Sequence, residues 1–353
     1  MDIFYFTLII TFVLAILAVI FKDKNGNANL LITIVIISIF TLVSGLRSGI
    51  GDTYYYVHSY NSITPNYDIA NSAYEPGFTI FLMILKSISE DPQFMILITS
   101  LIINVCNIWV IRKYSKDNFE LGVFLYMVSY YIVTMNGIRQ SLVASIIFLC
   151  TPLIINRKFK TYCLIMIALS TFHISALVMI PIYLVAIQKE WSKQIWVAII
   201  AFIVVMIFYE PAISLIYKIL GNSKYAGYED FNEGGANIIR VIVYFVPVML
   251  SYIKRESLKQ WENGNIFINM TLINFLIMAI SYYNWIFARF TIYTQLYVLI
   301  TLPFIIKKSF NNIKEKRVIY YFLILCYIVF FVVDSKMSGI NYTSKFNIIN
   351  FFY

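Results

Sequence analysis

The chain has 353 residues, of which 60% are hydrophobic and only 13% are charged, and its formal net charge is +9. Soluble globular chains carry about 25% charged residues, so this composition excludes a soluble enzyme and indicates an integral membrane protein. Apolar runs of about the 20 residues that cross a bilayer recur along the whole length. We therefore predict a single all-α membrane domain over residues 1–353.

The apolar runs predict about ten full spans. In chain order they lie near residues 3–21, 30–46, 93–111, 119–135, 138–155, 194–210, 238–253, 265–283, 287–306 and 318–333. The first run has no basic segment before it and no small-residue cleavage site after it. We expect a retained span there, not a removable signal peptide.

Positive charge is spread over short connectors between these runs. Most Lys and Arg residues lie in clusters at residues 22–24, 112–116, 157–160, 189–193, 254–259 and 307–317. No block of like charge is long enough to indicate a nucleic-acid partner. The positive-inside rule instead places all of these clusters on the cytoplasmic side of the membrane.

Two runs must then depart from simple crossings. The apolar run at residues 77–89 is short and contains Lys86, which favours a surface or re-entrant helix. Residues 162–187 are interrupted at His173, which favours a hairpin that enters and returns. Both termini then lie outside, because ten crossings return the chain to the side on which it starts and the first basic cluster, at residues 22–24, lies inside.

The same arrangement creates two outer loops. Residues 47–92 form one of them and contain the short helix, and residues 219–237 form the other. Glycines, aromatic residues and acids of the second loop are typical of a lid. Other uncommon polar residues fall on the same outer side, although the assignment used only lysines and arginines.

The segment from Arg47 to Tyr60 is too polar to face lipid. Gly49 and Gly51 allow the tight turns and close backbone approach that anion-binding loops need. Arg47 supplies a planar, permanently charged group suited to phosphate, Asp52 is a candidate general base, and tyrosines such as Tyr56 can contact sugars. The alternative is an interfacial aromatic belt with a snorkelling arginine.

Further candidates follow in the later loops. Asn136, Arg139 and Gln140 open a span from outside, where a helix N-terminus beside an arginine favours an anion. The alternative is an ordinary loop arginine. His173 interrupts an apolar run and is a candidate base or hydrogen-bonding group, although a lone His is often a satisfied core residue.

Glu75 and Arg289 are less specific signals. Glu75 precedes the short helix 77–89, where an acid also simply complements the helix dipole. Arg289 opens a span with no acid nearby in the sequence and is a second candidate phosphate ligand. We find no Walker loop, no metal-binding or serine-hydrolase motif and no Cys-x-x-Cys pair, so we expect neither a metal nor a cofactor.

Taken in order, these motifs resemble the EpsG family of Wzy-like polysaccharide polymerases. The resemblance runs from about residue 40 to 305 and rests on Arg47-x-Gly-x-Gly-Asp52-x-x-x-Tyr56, Glu75-x-Gly77, Asn136-x-x-Arg139-Gln140, Phe-His173-x-Ser175-Ala176 and Arg289-Phe…Tyr293…Pro303. The family usually reads Gly-Thr-Asp-Tyr after its second glycine. This chain reads Gly51-Asp52-Thr53-Tyr54 and so carries its carboxylate one position earlier.

The resemblance implies an inverting, metal-independent glycosyltransferase with a GT-C-like helical fold in the bacterial cytoplasmic membrane. It would join oligosaccharide repeat units linked to undecaprenyl diphosphate, at the outer face, for exopolysaccharide, capsule or O-antigen. A flippase and a chain-length regulator of the same pathway are the implied protein partners, and membrane lipids surround the chain.

The implied roles divide the candidates into three groups. Arg47, Arg139 and Arg289 would bind the diphosphate, and His173 and Asp52 compete as the base. The other substrate contacts would come from Gly49, Gly51, Tyr56, Glu75, Asn136, Gln140, Ser175 and Tyr293. The competing hypotheses are a ligase or another transferase acting on lipid-linked sugars and, from a different class, a flippase for lipid-linked oligosaccharide.

Overall fold

The computed structural model describes residues 1–64, 67–209, 234–310 and 312–344. Within them the chain is almost entirely helical. The α-helices are α1 (Asp2–Ile20), α2 (Leu30–Gly45), α3 (Thr53–Asn61), α4 (Pro76–Ile88), α5 (Pro92–Ser115), α6 (Phe119–Tyr126), α7 (Ile138–Leu149), α8 (Thr151–Ile155), α9 (Phe159–Ser170), α10 (Met179–Ala186), α11 (Lys193–Ile207), α12 (Ile238–Ile253), α13 (Arg255–Leu258), α14 (Gly264–Ile280), α15 (Thr291–Ser309) and α16 (Ile313–Met337). Most of the predicted loop 219–237 lies outside the described residues.

Four helical stretches of the described chain are long and apolar enough to cross a membrane. They are Asp2–Ile20, Pro92–Met135, Trp285–Ser309 and Ile313–Met337, and shorter apolar helices of 10–17 residues accompany them. An all-α membrane protein is therefore confirmed. The count of about ten crossings and the GT-C-like arrangement stay predictions.

The stretch Pro92–Met135 is two antiparallel helices. Lys116 adopts a left-handed φ of 45° at the end of α5, which reverses the chain before α6. Tyr126 Oη then donates to Asn104 Oδ1 over 2.8 Å. In a continuous helix these two residues would be about 33 Å apart, so the contact requires the reversal.

Helix α15 lies at the centre of the bundle, and α1 and α16 lie at its surface. Nearly every residue of α15 is buried, whereas α1 and α16 expose large apolar side chains such as Ile9, Ile20 and Phe322. Lipid covers such surfaces in a membrane protein. The polar residues of the interior are hydrogen-bonded, as Asn104 is to Ser44 Oγ over 3.1 Å.

Both unusual runs of the sequence form short helices. Helix α4 has 13 residues and is about 20 Å long, too short to cross a bilayer. The run 162–187 folds as α9, a turn at 171–173, a 3₁₀ helix (Ile174–Val178) and α10. Arg157 Nη1 donates to Ile187 O over 2.7 Å, so the two ends of this hairpin meet.

The basic clusters gather at one end of the bundle. Asp117 pairs with Lys22 over 3.1 Å and with Lys307 over 2.7 Å, and Lys254 Nζ lies 4.4 Å from the centroid of the Phe310 ring. Helices α2, α5 and α15 each connect this end of the bundle with the other end. There, β1 (Arg47–Gly49) pairs antiparallel with β2 (Thr343–Ser344).

This separation predicts the accessibility of two exposed residues. In a variant whose native cysteines have been replaced, a single cysteine at Asn71 should react with a membrane-impermeant maleimide on intact cells. A single cysteine at Lys158 should react only after permeabilisation, because it lies at the end that carries the basic clusters. Labelling of both from the same side would contradict this topology.

Candidate functional site

A cavity of about 630 Å3 opens at the end of the bundle opposite the basic clusters. Irregular backbone forms much of its wall. The chain runs from a π-helix (Met127–Tyr131) through a 3₁₀ helix (Ile132–Met135) to Asn136 before α7 begins. Non-helical backbone in a membrane protein is tolerated where it lines a cavity, and π-helices often mark functional sites.

Gly137 sets the position of Arg139. Its left-handed φ of 64° turns the chain from the 3₁₀ helix into α7, a conformation that other residues adopt at a cost. Arg139 consequently lies in the first turn of α7 and lines the cavity. Gln140, beside it, donates from Nε2 to Arg289 O over 2.8 Å and so joins α7 to the segment before α15.

The Arg139 guanidinium is held by an acid and an aromatic ring. Its Nη1 forms an ion pair with Glu75 Oε2, and its Cζ lies 4.5 Å from the centroid of the Tyr74 ring. Tyr56 Oη accepts the backbone N–H of Arg139 over 3.4 Å. Arg139 Nε is buried and has no hydrogen-bond partner among the described residues, whereas the side chain as a whole is 19% exposed and lines the cavity.

His173 lies in the turn of the hairpin and also lines the cavity. Its Nδ1 is 2.7 Å from Ser175 Oγ, and Ser175 Oγ is 2.7 Å from Tyr293 Oη. Burial lowers the pKa of His173 to about 4, and the positive charge of Arg139 contributes to that shift. The imidazole of His173 is therefore neutral at pH 7.

Glu75 connects the arginine to the histidine turn. Its Oε2 binds Arg139, and its Oε1 accepts the backbone N–H of Ile174 over 3.2 Å. Neither Glu75, Ser175 nor Tyr293 lines the cavity. The structure brings these three predicted residues to the site as supports of Arg139 and His173.

Arg289 lines the cavity without an ion-pair partner among the described residues. Its Cζ lies 5.0 Å from the centroid of the Trp285 ring. Arg289 belongs to a 3₁₀ helix (Trp285–Phe290) that leads directly into α15. Since no carboxylate in the described part of the chain neutralises Arg289, its full charge is available to an anion.

The glycine turn lines the cavity as predicted, but Arg47 does not. Asp52, Gly49 and Gly51 all lie on the wall. Asn136 Oδ1 accepts the backbone N–H of Asp52 over 3.2 Å. A Cβ on Gly51 would lie 2.6 Å from that same oxygen, so only glycine fits there.

Arg47 is 1% exposed and binds other parts of the protein. Its guanidinium donates to Thr53 Oγ1 over 3.1 Å, to Ser100 Oγ over 3.3 Å, to Met135 O over 3.4 Å and to Ser44 O. Burial lowers its pKa to about 10, so it remains charged at neutral pH. In this structure Arg47 fastens the glycine turn to α2, α5 and the backbone before α7, and it is not placed to bind diphosphate.

Another part of the wall was not predicted. Arg240 and Tyr244 of α12, Asp334 of α16 and residues 338–341 of the following segment all line the cavity. The available signal was a charged residue at the edge of each of two apolar runs, which is uncommon and often functional. Within the described residues, no group of His, Cys, Asp and Glu is arranged to hold a metal ion.

Replacing Arg47 should destabilise the fold. Arg47→Ala leaves buried carbonyl and hydroxyl oxygens without their donor, each costing about 1–3 kcal/mol. Arg289→Ala removes the same group from the cavity wall and should change stability little. Unfolding of both purified variants in detergent tests this, and equal midpoints for the two would contradict the buried role of Arg47.

The lowered pKa of His173 predicts a loss of stability in acid. The unfolded chain protonates this residue near its ordinary pKa of 6.5 and the folded chain near 4, so stability falls as the pH drops through that interval. His173→Gln removes this contribution. Thermal midpoints measured between pH 7 and pH 4.5 should decline more for the wild type than for the variant, and parallel declines would argue against it.

One of the comparisons with known proteins found a match. The model of the EpsG family matches residues 30–347, nearly the whole chain. The match includes every residue of the site described above. No curated protein matches the chain, and no solved structure does.

Proposed function

The chain belongs to the EpsG family, and from that premise we propose that it polymerises lipid-linked oligosaccharide repeat units into an exopolysaccharide or capsule. One observation carries the proposal. A single cavity collects Arg139, Arg289 and a neutral His173 at the end of the bundle opposite the basic clusters. The two arginines can bind an anionic leaving group, and the imidazole can accept a proton.

The donor would be a glycan linked through its reducing end to undecaprenyl diphosphate. As the glycosidic bond to phosphate breaks, its electron pair moves to the diphosphate oxygen and negative charge grows there. Arg289, which has no ion-pair partner among the described residues, and the cavity-lining side chain of Arg139 would stabilise that charge. Planar guanidinium groups suit this task because they bind phosphate in a bidentate manner.

The acceptor would be a hydroxyl of a second lipid-linked repeat unit. Its oxygen forms the new bond to the anomeric carbon, and its proton moves to a base. In the tautomer whose ring hydrogen is on Nδ1, that N–H donates a hydrogen bond to Ser175 Oγ, and the Ser175 hydroxyl donates to Tyr293 Oη. His173 Nε2 then has a free electron pair and accepts the proton of the acceptor hydroxyl. A single displacement of this kind inverts the anomeric configuration.

His173 is the better base and Asp52 the alternative. The contacts to Ser175 and, through Ile174, to Glu75 fix the orientation of the His173 turn. The bound diphosphate also acts on the imidazole, because a nearby anion raises the pKa of a histidine and makes it a stronger base. Asp52 is anchored through its backbone N–H, on the glycine turn.

The proposal places the reaction at the outer face of the bacterial cytoplasmic membrane. Orientation follows from the positive-inside rule, since the cavity and the basic clusters lie at opposite ends. A flippase would supply the repeat units, and a chain-length regulator of the same pathway would act on the product.

Polymer length in cells tests this function. In a strain that lacks the chromosomal copy, His173→Ala and Arg289→Ala should reach the membrane normally but make little long polymer. Loss of a general base alone slows a reaction about 10²–10⁴-fold. Ser175→Ala, which removes only a support of His173, should lower the rate less.

The location of the untransferred repeat units separates the competing hypotheses. Single units that reach the outer leaflet but stay unjoined in the deletion strain support a polymerase. Units retained at the inner leaflet would identify a flippase instead. Normal polymer ladders from both His173→Ala and Arg289→Ala would contradict the assigned site.

A further inference from the structure

One wall of the cavity carries an ion pair that the reaction described above does not use. Arg240 Nε lies 2.6 Å from Asp334 Oδ1, and Arg240 Nη2 donates to Ser338 Oγ over 3.1 Å. Both charged side chains are about one-third exposed, at 36% and 30%, and both line the cavity. They belong to α12 and α16, whereas Arg139 and His173 belong to α7 and the hairpin.

The pair differs chemically from the site at Arg289. Asp334 neutralises Arg240, and its carboxylate repels an anion, so this wall is unsuited to diphosphate. It presents guanidinium donors beside carboxylate, amide and hydroxyl oxygens instead. Asn341 and Ser338 add side chains that both donate and accept.

Neighbouring contacts hold this wall in place. Tyr244 Oη donates to Gln295 Oε1 over 2.5 Å, and Gln295 Nε2 donates to Ser129 O over 2.7 Å. All three residues line the cavity. The chain of bonds links α12 to α15 and to the π-helix, and fixed polar groups of this kind orient a ligand in a pocket.

From this chemistry we propose that the wall formed by Arg240, Asp334, Ser338 and Asn341 is a sugar-binding subsite. The ligand of this subsite is the uncharged, hydroxyl-rich part of the repeat unit. The subsite thereby selects which oligosaccharide is polymerised. Sugar hydroxyls are donors and acceptors at once, which matches an ion pair better than a lone arginine. The inference rests on the proposed function, because it assigns part of that substrate.

Two probes separate the sugar from the diphosphate. The first is the free oligosaccharide released by mild acid from the lipid-linked units of the deletion strain. The second is undecaprenyl diphosphate without sugar. Both are titrated against the full-length protein in lipid nanodiscs, for the wild type and for each variant, together with its thermal midpoint.

Asp334→Asn and Arg240→Gln should weaken oligosaccharide binding about tenfold or more, the effect of losing one hydrogen bond to a charged group. Undecaprenyl diphosphate should bind these variants within about twofold of the wild type. Arg289→Ala should show the reverse pattern. Asn341→Trp, at an exposed position of the wall, should block the oligosaccharide without changing the thermal midpoint.

The exchanged pair Arg240→Asp with Asp334→Arg keeps the ion pair but reverses what it presents. Continued loss of oligosaccharide binding supports a sugar contact, and full recovery would show that the pair is only structural and overturn the inference. Loss of diphosphate binding in Arg240→Gln would also overturn it, by making this wall a second anion site. If the wild type binds neither the oligosaccharide nor undecaprenyl diphosphate, that result would instead refute the proposed function.

Discussion

One carboxylate, that of Glu75, joins the two halves of the site. Its first oxygen binds the Arg139 side chain and its second binds the backbone of the turn that carries His173. Arg139 comes from α7 and His173 from the hairpin, so no local structure fixes the distance between them. Glu75, the residue just before the short helix α4, supplies that connection.

A second charged group, the buried guanidinium of Arg47, holds the glycine turn in place from the protein interior. A buried guanidinium without partners costs several kcal/mol, and here four parts of the chain provide oxygens for it. One of them, Met135 O, belongs to the backbone of the cavity wall and lies next to Asn136. Arg47 therefore fixes the position of the glycine turn relative to Asn136. The close contact between Gly51 and Asn136 leaves no room for a side chain at residue 51.

Charge and hydropathy predicted much of this arrangement, because they report where the chain must leave the membrane. The break at His173, the short helix after Glu75 and the common end of the basic clusters all follow from those signals. The role of Arg47 did not, because an arginine beside an apolar run reads the same whether its group faces a ligand or the interior. The partners that decide the matter, Ser100 and Met135, lie more than 50 residues away in sequence.

Ser175 and Tyr293 illustrate the same limit from the other side. Each was expected to contact substrate, yet they hydrogen-bond to each other across a separation of 118 residues, and Ser175 also hydrogen-bonds to His173. The Arg240–Asp334 pair joins residues 94 apart, and neither carries a local motif. In a bundle whose walls come from separate helices, a motif marks the residues that one segment contributes, and long-range pairing decides which of them meet a ligand. The four arginines at this end of the bundle therefore differ in their partners. Arg47 is enclosed by protein, Arg240 pairs with Asp334, Arg139 pairs with Glu75, and Arg289 has no ion-pair partner among the described residues.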